Sequence, residues 1–145
     1  MKIKIKENNM SDCIFCKIVN GEMPAYTLYE DENTLVFLDA YPGTKGHTLV
    51  IPKKHYQDIF DTPEEVYTNI LHTALKVAKM LKSALKFDGL NFFQSSGNAA
   101  GQTVFHIHAH LFPRWEGDKA LGTWLPKSQK NVDLQKVKEE ILSAS

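Results

Sequence analysis

Apolar residues in the middle of the chain recur every three or four positions and predict one long helix over residues 62–87. The start of this helix is indicated by Thr62 as the N-cap, Pro63 at the first position and Glu65 completing a capping box. A second, shorter helix is predicted for VDLQKVKEEIL near the C-terminus. The buried stripe of the long helix is expected to consist of Val66, Ile70, Ala74, Val77, Leu81 and Leu85.

Five shorter apolar runs are rich in β-branched and aromatic residues, which is typical of strands. Two of them form a predicted hairpin in AYTLYEDENTLVFLDA, with its turn at residues 30–33; the others are HTLVIP, LNFFQ and VFHIHAHLF. Because tight turns join some of the strands around one long helix, we predict an α+β fold. It comprises a five-stranded, mostly antiparallel sheet, one long helix and a short C-terminal helix.

The length of 145 residues favours one domain. We expect residues 1–9 to be a disordered N-terminal extension and residues 10–145 to form a single domain with a C-terminal tail. The 17 basic and 17 acidic residues balance, so net charge provides no attraction to nucleic acid or to an anionic membrane. Every apolar run is shorter than the ~20 residues that a membrane-spanning helix needs. Neither nucleic acid nor a membrane is therefore expected as a partner.

The two cysteines, Cys13 and Cys16, form a C-x-x-C pair near the N-terminus. The preceding segment, MKIKIKENNMSD, is basic but lacks the apolar stretch of a secretory signal, so a cytoplasmic location is predicted. Structural disulfides are rare in that compartment. The pair therefore indicates either metal binding or redox chemistry.

Three histidines occupy alternate positions in HIHAH, residues 106–110. In a strand, successive side chains point to opposite faces, so His106, His108 and His110 would share one face, with neighbouring rings on the order of 7 Å apart. The opposite face would hold the apolar row Phe105, Ile107, Ala109 and Leu111. Three interpretations remain open: a half-exposed strand, a metal-binding row, and catalysis by one imidazole assisted by its neighbours.

The loop SSGNAAGQT precedes the histidines and is a candidate phosphate cradle. Gly97 and Gly101 lack side chains, so their backbone N–H groups can approach an anion closely. The hydroxyl and amide groups of the loop add side-chain donors, at Ser95, Ser96, Gln102 and Thr103. The loop is neither a Walker A sequence nor a dinucleotide-binding G-x-G-x-x-G.

The sequence resembles the histidine triad (HIT) family over residues 13 to about 118. HIHAHLF matches the family signature of three histidines separated by apolar residues. CIFCKIVNGEMPA, LVFLDAYPGTKGHTLVIPKKH and GNAAGQTVFHIHAHLFPR fall in the order and spacing of small bacterial members, close to the histidine-triad nucleotide-binding branch. The resemblance implies a nucleotidyl hydrolase or transferase that acts at the α-phosphate. It also implies a homodimer whose two sheets join into one.

Carried over by position, the resemblance makes His108 the nucleophile that attacks the α-phosphorus. His110 would assist the leaving group. Gln102 and Thr103 would donate to the phosphate oxygens beside Gly101, with Thr103 standing where the family often has Ser.

Three further positions are implied to bind substrate. Asp39 would hold the ribose hydroxyls, a role that suits a carboxylate acceptor. His47 would help to frame the phosphate site. Ser95 stands where many relatives have Asn, so the phosphate contact at this position would differ from theirs.

The resemblance also implies one structural zinc per chain. Zinc prefers four thiolate and imidazole ligands, and the family pattern assigns them to Cys13, Cys16, His55 and His106. The chemistry itself would need no cofactor. One imidazole of the row would then bind metal while the next attacks phosphorus.

The expected activity is hydrolysis of nucleoside phosphoramidates, acyl-adenylates or dinucleoside polyphosphates through a covalent nucleotidyl-histidine, with an AMP-like product. A nucleotidyl transferase is one alternative. The other is a non-catalytic module, stabilised by a structural zinc, that binds nucleotides or a protein partner. Trp124 lies in the C-terminal tail, a region that in relatives often reaches the partner subunit's active site.

Overall fold

The computed structural model of the protein describes residues 12–120 and 131–144. The expectations for residues 1–9 and for Trp124 lie outside the described residues. The elements follow the predicted order along the chain. They are α1 (Ile14–Val19), β1 (Thr27–Glu30), β2 (Thr34–Leu38), β3 (Thr48–Pro52), α2 (Glu64–Leu85), β4 (Gly89–Gln94), a 3₁₀ turn (Asn98–Ala100), β5 (Ala109–Arg114) and α3 (Leu134–Ala144).

Within the described ranges, five strands form one antiparallel sheet, which confirms the predicted sheet. The strand order is β1-β2-β3-β5-β4. Successive residues of each strand point to opposite faces, so the sheet buries two different sets of side chains. Val36, Val50 and Ala109 lie side by side across β2, β3 and β5 and pack with α2. The opposite face packs with the α1 segment through Leu35, Phe37, Leu49 and Ile51.

Helix α2 covers one face of the sheet with the stripe predicted from the sequence. The four central residues of that stripe are buried and its two end residues are partly buried: Ile70, Ala74, Val77, Leu81, and then Val66 and Leu85. Burial of an aliphatic side chain of this size contributes about 1.5–3 kcal/mol. The hydroxyl of Thr73 adds a buried polar contact, because it lies 2.9 Å from the hydroxyl of Thr34 on β2. Together these contacts fix the helix on the sheet.

The predicted capping box of this helix is wrong. Pro63 has extended backbone angles and is itself the N-cap residue, so the helix begins at Glu64. Proline has no side-chain acceptor, and no side chain among the described residues caps this end. The hydroxyl of Thr62 instead donates to the carbonyl of Asp58, at 2.6 Å. This contact stabilises the preceding loop rather than the first helical turn.

The fifth strand is shorter than predicted, because it begins at Ala109 and not at residue 104. Its neighbour β3 ends at Pro52, and its other neighbour β4 ends at Gln94, which pairs with Ala109. Pairing with β3 also stops at Ala109, which lies opposite Val50, although β3 itself continues to Pro52. The backbone before Ala109 bonds to a loop instead, since the Ile107 N–H donates to the carbonyl of Tyr56 at 2.7 Å. The alternation persists in part, since Ile107 still packs under α2, whereas Phe105 is exposed rather than part of the apolar row.

The C-terminal helix α3 is present as predicted, and every one of its residues is exposed. In residues 12–120 and 131–144, no helix combines the length and hydropathy that crossing a bilayer requires.

Candidate functional site

A cleft of about 360 Å³ opens on the face of the sheet that α2 does not cover. Phe15 of α1 forms its floor, with its ring centroid 5.1 Å from that of His108 and 5.5 Å from that of Phe37. The histidines are thus held against α1 by aromatic contacts. Four of the residues proposed from the sequence line the cleft: Asp39, Thr103, His108 and His110.

His108 is buried, and its ring Nδ1 lies 2.8 Å from the carbonyl oxygen of His106. A carbonyl oxygen only accepts hydrogen bonds, so Nδ1 carries the ring proton. In the neutral imidazole the other nitrogen, Nε2, then keeps its lone pair. Burial lowers the pKa of His108 below its usual value, against the raising effects of the His106 carbonyl and of Asp39, and so favours the neutral ring.

A chain of hydrogen bonds fixes the opposite tautomer at His110. The Gly43 N–H donates to Nδ1 of His47 at 3.1 Å, so the proton of His47 resides on Nε2. That Nε2–H donates to Nδ1 of His110 at 2.9 Å, which leaves the proton of His110 on its own Nε2. The two neighbouring rings at the cleft are therefore complementary, since His108 offers a lone pair at Nε2 and His110 offers an N–H.

The His110 ring is further restrained by its surroundings. It stacks on Phe93, with ring centroids 4.5 Å apart and an interplanar angle of 13°. Its centroid lies 4.9 Å from that of His108, closer than a regular strand would allow, because residue 108 precedes the strand. Burial, followed by the charges of His108 and His47, lowers the pKa of His110 to about 3. The ring is therefore a neutral hydrogen-bond donor at physiological pH.

Asp39 joins the histidines to the rest of the cleft. Its Oδ2 lies 3.6 Å from Nε2 of His47, and its Oδ1 accepts from the Tyr41 N–H at 2.9 Å. Asp39, His47 and His110 bring their ligand atoms close enough to suggest a metal site. The Gly43 N–H argues against one, because it requires a lone pair on Nδ1 of His47 and hence a proton on the nitrogen that a metal would need. Hydrogen bonds account for this cluster.

A second cluster of ligand atoms lies behind the histidine segment. Cys13, Cys16, His55 and His106 place one sulfur or nitrogen each within 4.8 Å of one another. Nδ1 of His106 lies 3.5 Å from Sγ of Cys13 and 3.6 Å from Sγ of Cys16, and Nδ1 of His55 lies 3.3 Å from Sγ of Cys16. The structure therefore brings together the four residues that the sequence pattern assigned to metal.

The chemistry of this donor set fits zinc. Nε2 of His106 donates to the carbonyl of Pro52 at 2.8 Å, so its Nδ1 directs a lone pair at the two sulfurs. Burial and the neighbouring Cys13 raise the pKa of Cys16 to about 12, so the thiolate form needs a nearby cation. Burial lowers the pKa of His106 to about 4, which keeps its imidazole neutral and able to ligate.

The loop before the histidines contributes less to the cleft than its sequence suggests. Among the described residues that line the cleft, this loop is represented by Thr103, and Ser95, Gly101 and Gln102 are not included. The Gln102 amide is buried and donates to the carbonyls of Gln57 and Val104, at 2.6 and 3.1 Å. Its Oε1 accepts from the Gly97 N–H at 2.8 Å. Gln102 therefore shapes the loop instead of facing the cleft.

The apolar wall of the cleft is not predicted from the sequence. The α1 segment supplies Ile14 and Ile18, and the sheet supplies Phe37 and Leu49. Ile14 is well exposed for an aliphatic side chain, at 41%, which is one sign of a binding surface. The sequence alone could not reveal this role, because it does not show which element α1 faces. The remaining histidine, His72, is exposed on α2, as expected for a surface residue.

Comparison with known proteins finds relatives that match most of the chain. A family model described as the HIT domain matches residues 20–117. A HIT-like protein of Methanocaldococcus jannaschii is 48% identical over 129 residues, covering 89% of this chain and 98% of that protein. An adenylylsulfatase of Arabidopsis thaliana is 38% identical over 129 residues, covering 89% of this chain and 64% of that protein.

Solved structures show the same fold. A HIT family protein from Bacillus anthracis superposes with a TM-score of 0.83 at 40% identity, covering 92% of this chain and 97% of the other. A histidine triad family protein from Mycobacterium smegmatis, described as zinc-bound, has a TM-score of 0.73 at 40% identity and covers 93% of this chain and 99% of the other.

Proposed function

The chain belongs to the HIT domain family, and on that premise we propose that it is a nucleotidyl hydrolase with His108 as its nucleophile. The observation that carries the proposal is the hydrogen bond from Nδ1 of His108 to the His106 carbonyl, at 2.8 Å. This bond leaves the Nε2 lone pair for attack on phosphorus. A neutral, oriented imidazole is an effective nucleophile, and a covalent intermediate divides one difficult step into two easier ones.

In the first step, Nε2 of His108 forms a bond to the α-phosphorus and the bond from phosphorus to the leaving group breaks. The electron pair of that bond goes to the leaving group, which takes a proton from solvent. The Nε2–H of His110 donates a hydrogen bond to the atom that bears the developing charge. The hydroxyl of Thr103, at the wall of the cleft, donates to a phosphate oxygen.

In the second step, a water oxygen attacks the same phosphorus and the N–P bond breaks. The electron pair returns to Nε2 of His108, the water proton passes to solvent, and a nucleoside monophosphate leaves. Asp39 accepts hydrogen bonds from the ribose hydroxyls, since it faces the cleft beside Tyr41. The base lies against the apolar wall formed by α1 and β2. We assign Ser95, Gly101 and Gln102 to holding the phosphate loop in shape.

The substrate class is a nucleoside phosphate whose α-phosphorus carries a displaceable group: a phosphoramidate, an acyl-adenylate or a dinucleoside polyphosphate. The cleft binds the nucleoside on one side of the α-phosphorus, through its apolar wall and Asp39. An adenylyl half is favoured by the relative named as an adenylylsulfatase. Hydrolysis rather than transfer is favoured because water needs no acceptor site of its own.

Zinc is proposed to be held by Cys13, Cys16, His55 and His106, whose donor atoms fit it. When bound, it would supply a structural cross-link and would not contact the substrate. The cluster joins α1 to the residue whose carbonyl orients His108, and the zinc-bound relative from Mycobacterium smegmatis supports the assignment.

We propose that the active form is a cytoplasmic homodimer. The β4 strand forms one edge of the sheet, which is the position where a strand of a second copy would extend it. Beside this edge lies a partly exposed apolar surface that includes Leu71, Leu75 and Phe92. Joining two such edges would extend the sheet across both protomers.

The proposed activity is tested by incubating the protein with an adenosine phosphoramidate and following AMP release. His108→Ala should reduce the rate by at least about a thousandfold, as expected when the nucleophile is lost. His72→Ala is the matched control, because it removes an exposed histidine from α2 and should leave the rate unchanged. Equal rates for the wild type and the His108 variant would refute the assignment.

A further inference from the structure

Two exposed tyrosines stand at the mouth of the cleft. The Tyr26 side chain is 76% exposed and that of Tyr41 is 91% exposed, yet both are among the residues that line the cleft. Single exposed aromatic residues are ordinary on protein surfaces. Two that line one binding cleft together with apolar side chains of α1 and the sheet are positioned to meet a ligand.

The fold places Tyr26 at the opposite end of the cleft from the phosphate chemistry. Tyr26 directly precedes β1, and its carbonyl accepts from the Leu38 N–H at the end of β2, at 3.0 Å. His110 lies on β5, three strands away in the order β1-β2-β3-β5. At ~4.8 Å between neighbouring strands, this separation is roughly 14 Å.

Tyr41 lies between these two ends. Its backbone N–H donates to Asp39, the residue proposed to bind ribose, at 2.9 Å. Along the cleft, the groups therefore follow the order histidines, then Asp39 with Tyr41 beside it, then Tyr26. A nucleotide bound with its α-phosphorus at His108 and its ribose at Asp39 would direct its base toward the tyrosines. Its leaving group would extend in the other direction, away from them.

We propose that Tyr26 and Tyr41 form an aromatic rim that covers the outer face of the nucleobase and contributes to base recognition. The inference rests on the proposed function, because it takes the orientation of the nucleotide from His108 and Asp39. The inner face of the base would lie on the wall formed by α1 and Phe37, and the tyrosine rings would cover the side that is open in the free protein. Aromatic side chains stack on any base, with larger gains for larger rings.

The inference is tested by measuring the Kd of AMP by isothermal titration calorimetry. Tyr26→Ala and Tyr41→Ala should each weaken AMP binding about tenfold, which corresponds to about 1.4 kcal/mol. Tyr26→Phe and Tyr41→Phe keep the ring and should bind AMP within about twofold of the wild type. Phe60→Ala is the matched control, because Phe60 is 87% exposed and lies on a loop that does not line the cleft.

Ribose 5-phosphate, which has no base, distinguishes a loss of base stacking from a general disturbance of the site. Binding of ribose 5-phosphate, measured by displacement of AMP, should be the same in the alanine variants as in the wild type. The inference is overturned if AMP binds wild type and both alanine variants equally, or if ribose 5-phosphate loses as much affinity as AMP. A wild-type protein that binds no AMP would overturn the proposed function as well, so the two failures are distinguishable.

Discussion

The backbone carbonyl of His106 accepts a hydrogen bond from Nδ1 of His108 at 2.8 Å, while the side chain of His106 faces two cysteines. One residue therefore belongs to both clusters of the molecule. Its ring belongs to the candidate zinc cluster with Cys13, Cys16 and His55, and its backbone carbonyl sets the tautomer of His108, the candidate nucleophile. We therefore expect substitutions in the candidate zinc cluster to alter the orientation of His108 through His106.

Purified, unchelated protein should contain about one zinc per chain. Cys13→Ala and Cys16→Ala should each lose the metal and lower the melting temperature, because the cross-link from α1 to the histidine segment is lost. Metal content by mass spectrometry and thermal unfolding by circular dichroism check this, with His72→Ala as the control. Protein that is prepared without chelators and contains no zinc would eliminate the four-ligand assignment.

His47→Ala should reduce kcat about tenfold to a hundredfold. Removal of this ring takes away the N–H that donates to Nδ1 of His110 at 2.9 Å, so His110 can place its proton on the wrong nitrogen. His47→Asn keeps an amide donor and should recover part of the loss. Steady-state kinetics on the phosphoramidate substrate check this; equal kcat values for the wild type and the alanine variant would contradict it.

Gly43→Ala should also reduce kcat. A Cβ atom at residue 43 would lie 2.6 Å from the buried Phe112 ring, so the ring or the loop must shift. A shift of the loop lengthens the hydrogen bond from the Gly43 N–H to Nδ1 of His47. Gly89→Ala is the matched control, because the nearest atom to its Cβ would be 4.0 Å away. Kinetics that do not distinguish the two variants would show that the N–H of residue 43 has no part in orienting His47.

Asp31 should contribute stability that depends on pH. Burial by itself would raise the pKa of Asp31, but bonds from Asn33, Thr34 and Tyr29 outweigh it and lower the pKa to about 2, from an ordinary value of 3.8. A carboxyl whose pKa is lower in the folded state stabilises the protein above its unfolded pKa and loses that contribution as pH falls through about 2.

Asp31→Ala should therefore lower the free energy of unfolding by about 1–2 kcal/mol at neutral pH, with the difference shrinking between pH ~4 and ~2. Urea unfolding at several pH values measures the effect. Glu32→Ala is the control, since Glu32 is an exposed acidic residue in the same turn. If the difference in the free energy of unfolding between the wild type and Asp31→Ala stays constant down to pH ~2, the ionised carboxylate of Asp31 is not its source.

Periodicity predicts which faces are buried more reliably than it predicts where elements end. The stripe of α2 and the antiparallel sheet follow from apolar spacing, because burial selects side chains at fixed intervals. The length of β5 depends on contacts with other segments: β4 ends at Gln94, opposite Ala109, and the Ile107 N–H donates to the Tyr56 carbonyl of a loop. The capping box failed for a similar reason, since the loop before α2 recruits Thr62.

Some features of the candidate site could be predicted from the sequence and others could not. Residues that the family pattern placed together, such as Cys13 with His106, do meet in the structure. The position of Gln102 depends on contacts with Gln57 and Gly97. These residues lie in distant or irregular segments, where the sequence has no periodic apolar pattern from which a contact can be predicted. The hydrogen bond between His47 and His110 joins residues 63 positions apart and becomes visible only with the fold.

The central claim is that His108 forms a covalent bond to the α-phosphorus. The direct measurement is to quench the wild-type protein in alkaline denaturant during turnover of an adenosine phosphoramidate, and to locate any adenylyl group by peptide mass spectrometry. We expect an adenylyl group on His108, present also in His72→Ala and absent in His108→Ala. AMP release without any adenylylated protein under single-turnover conditions, or an adenylyl group on another residue, would contradict the account.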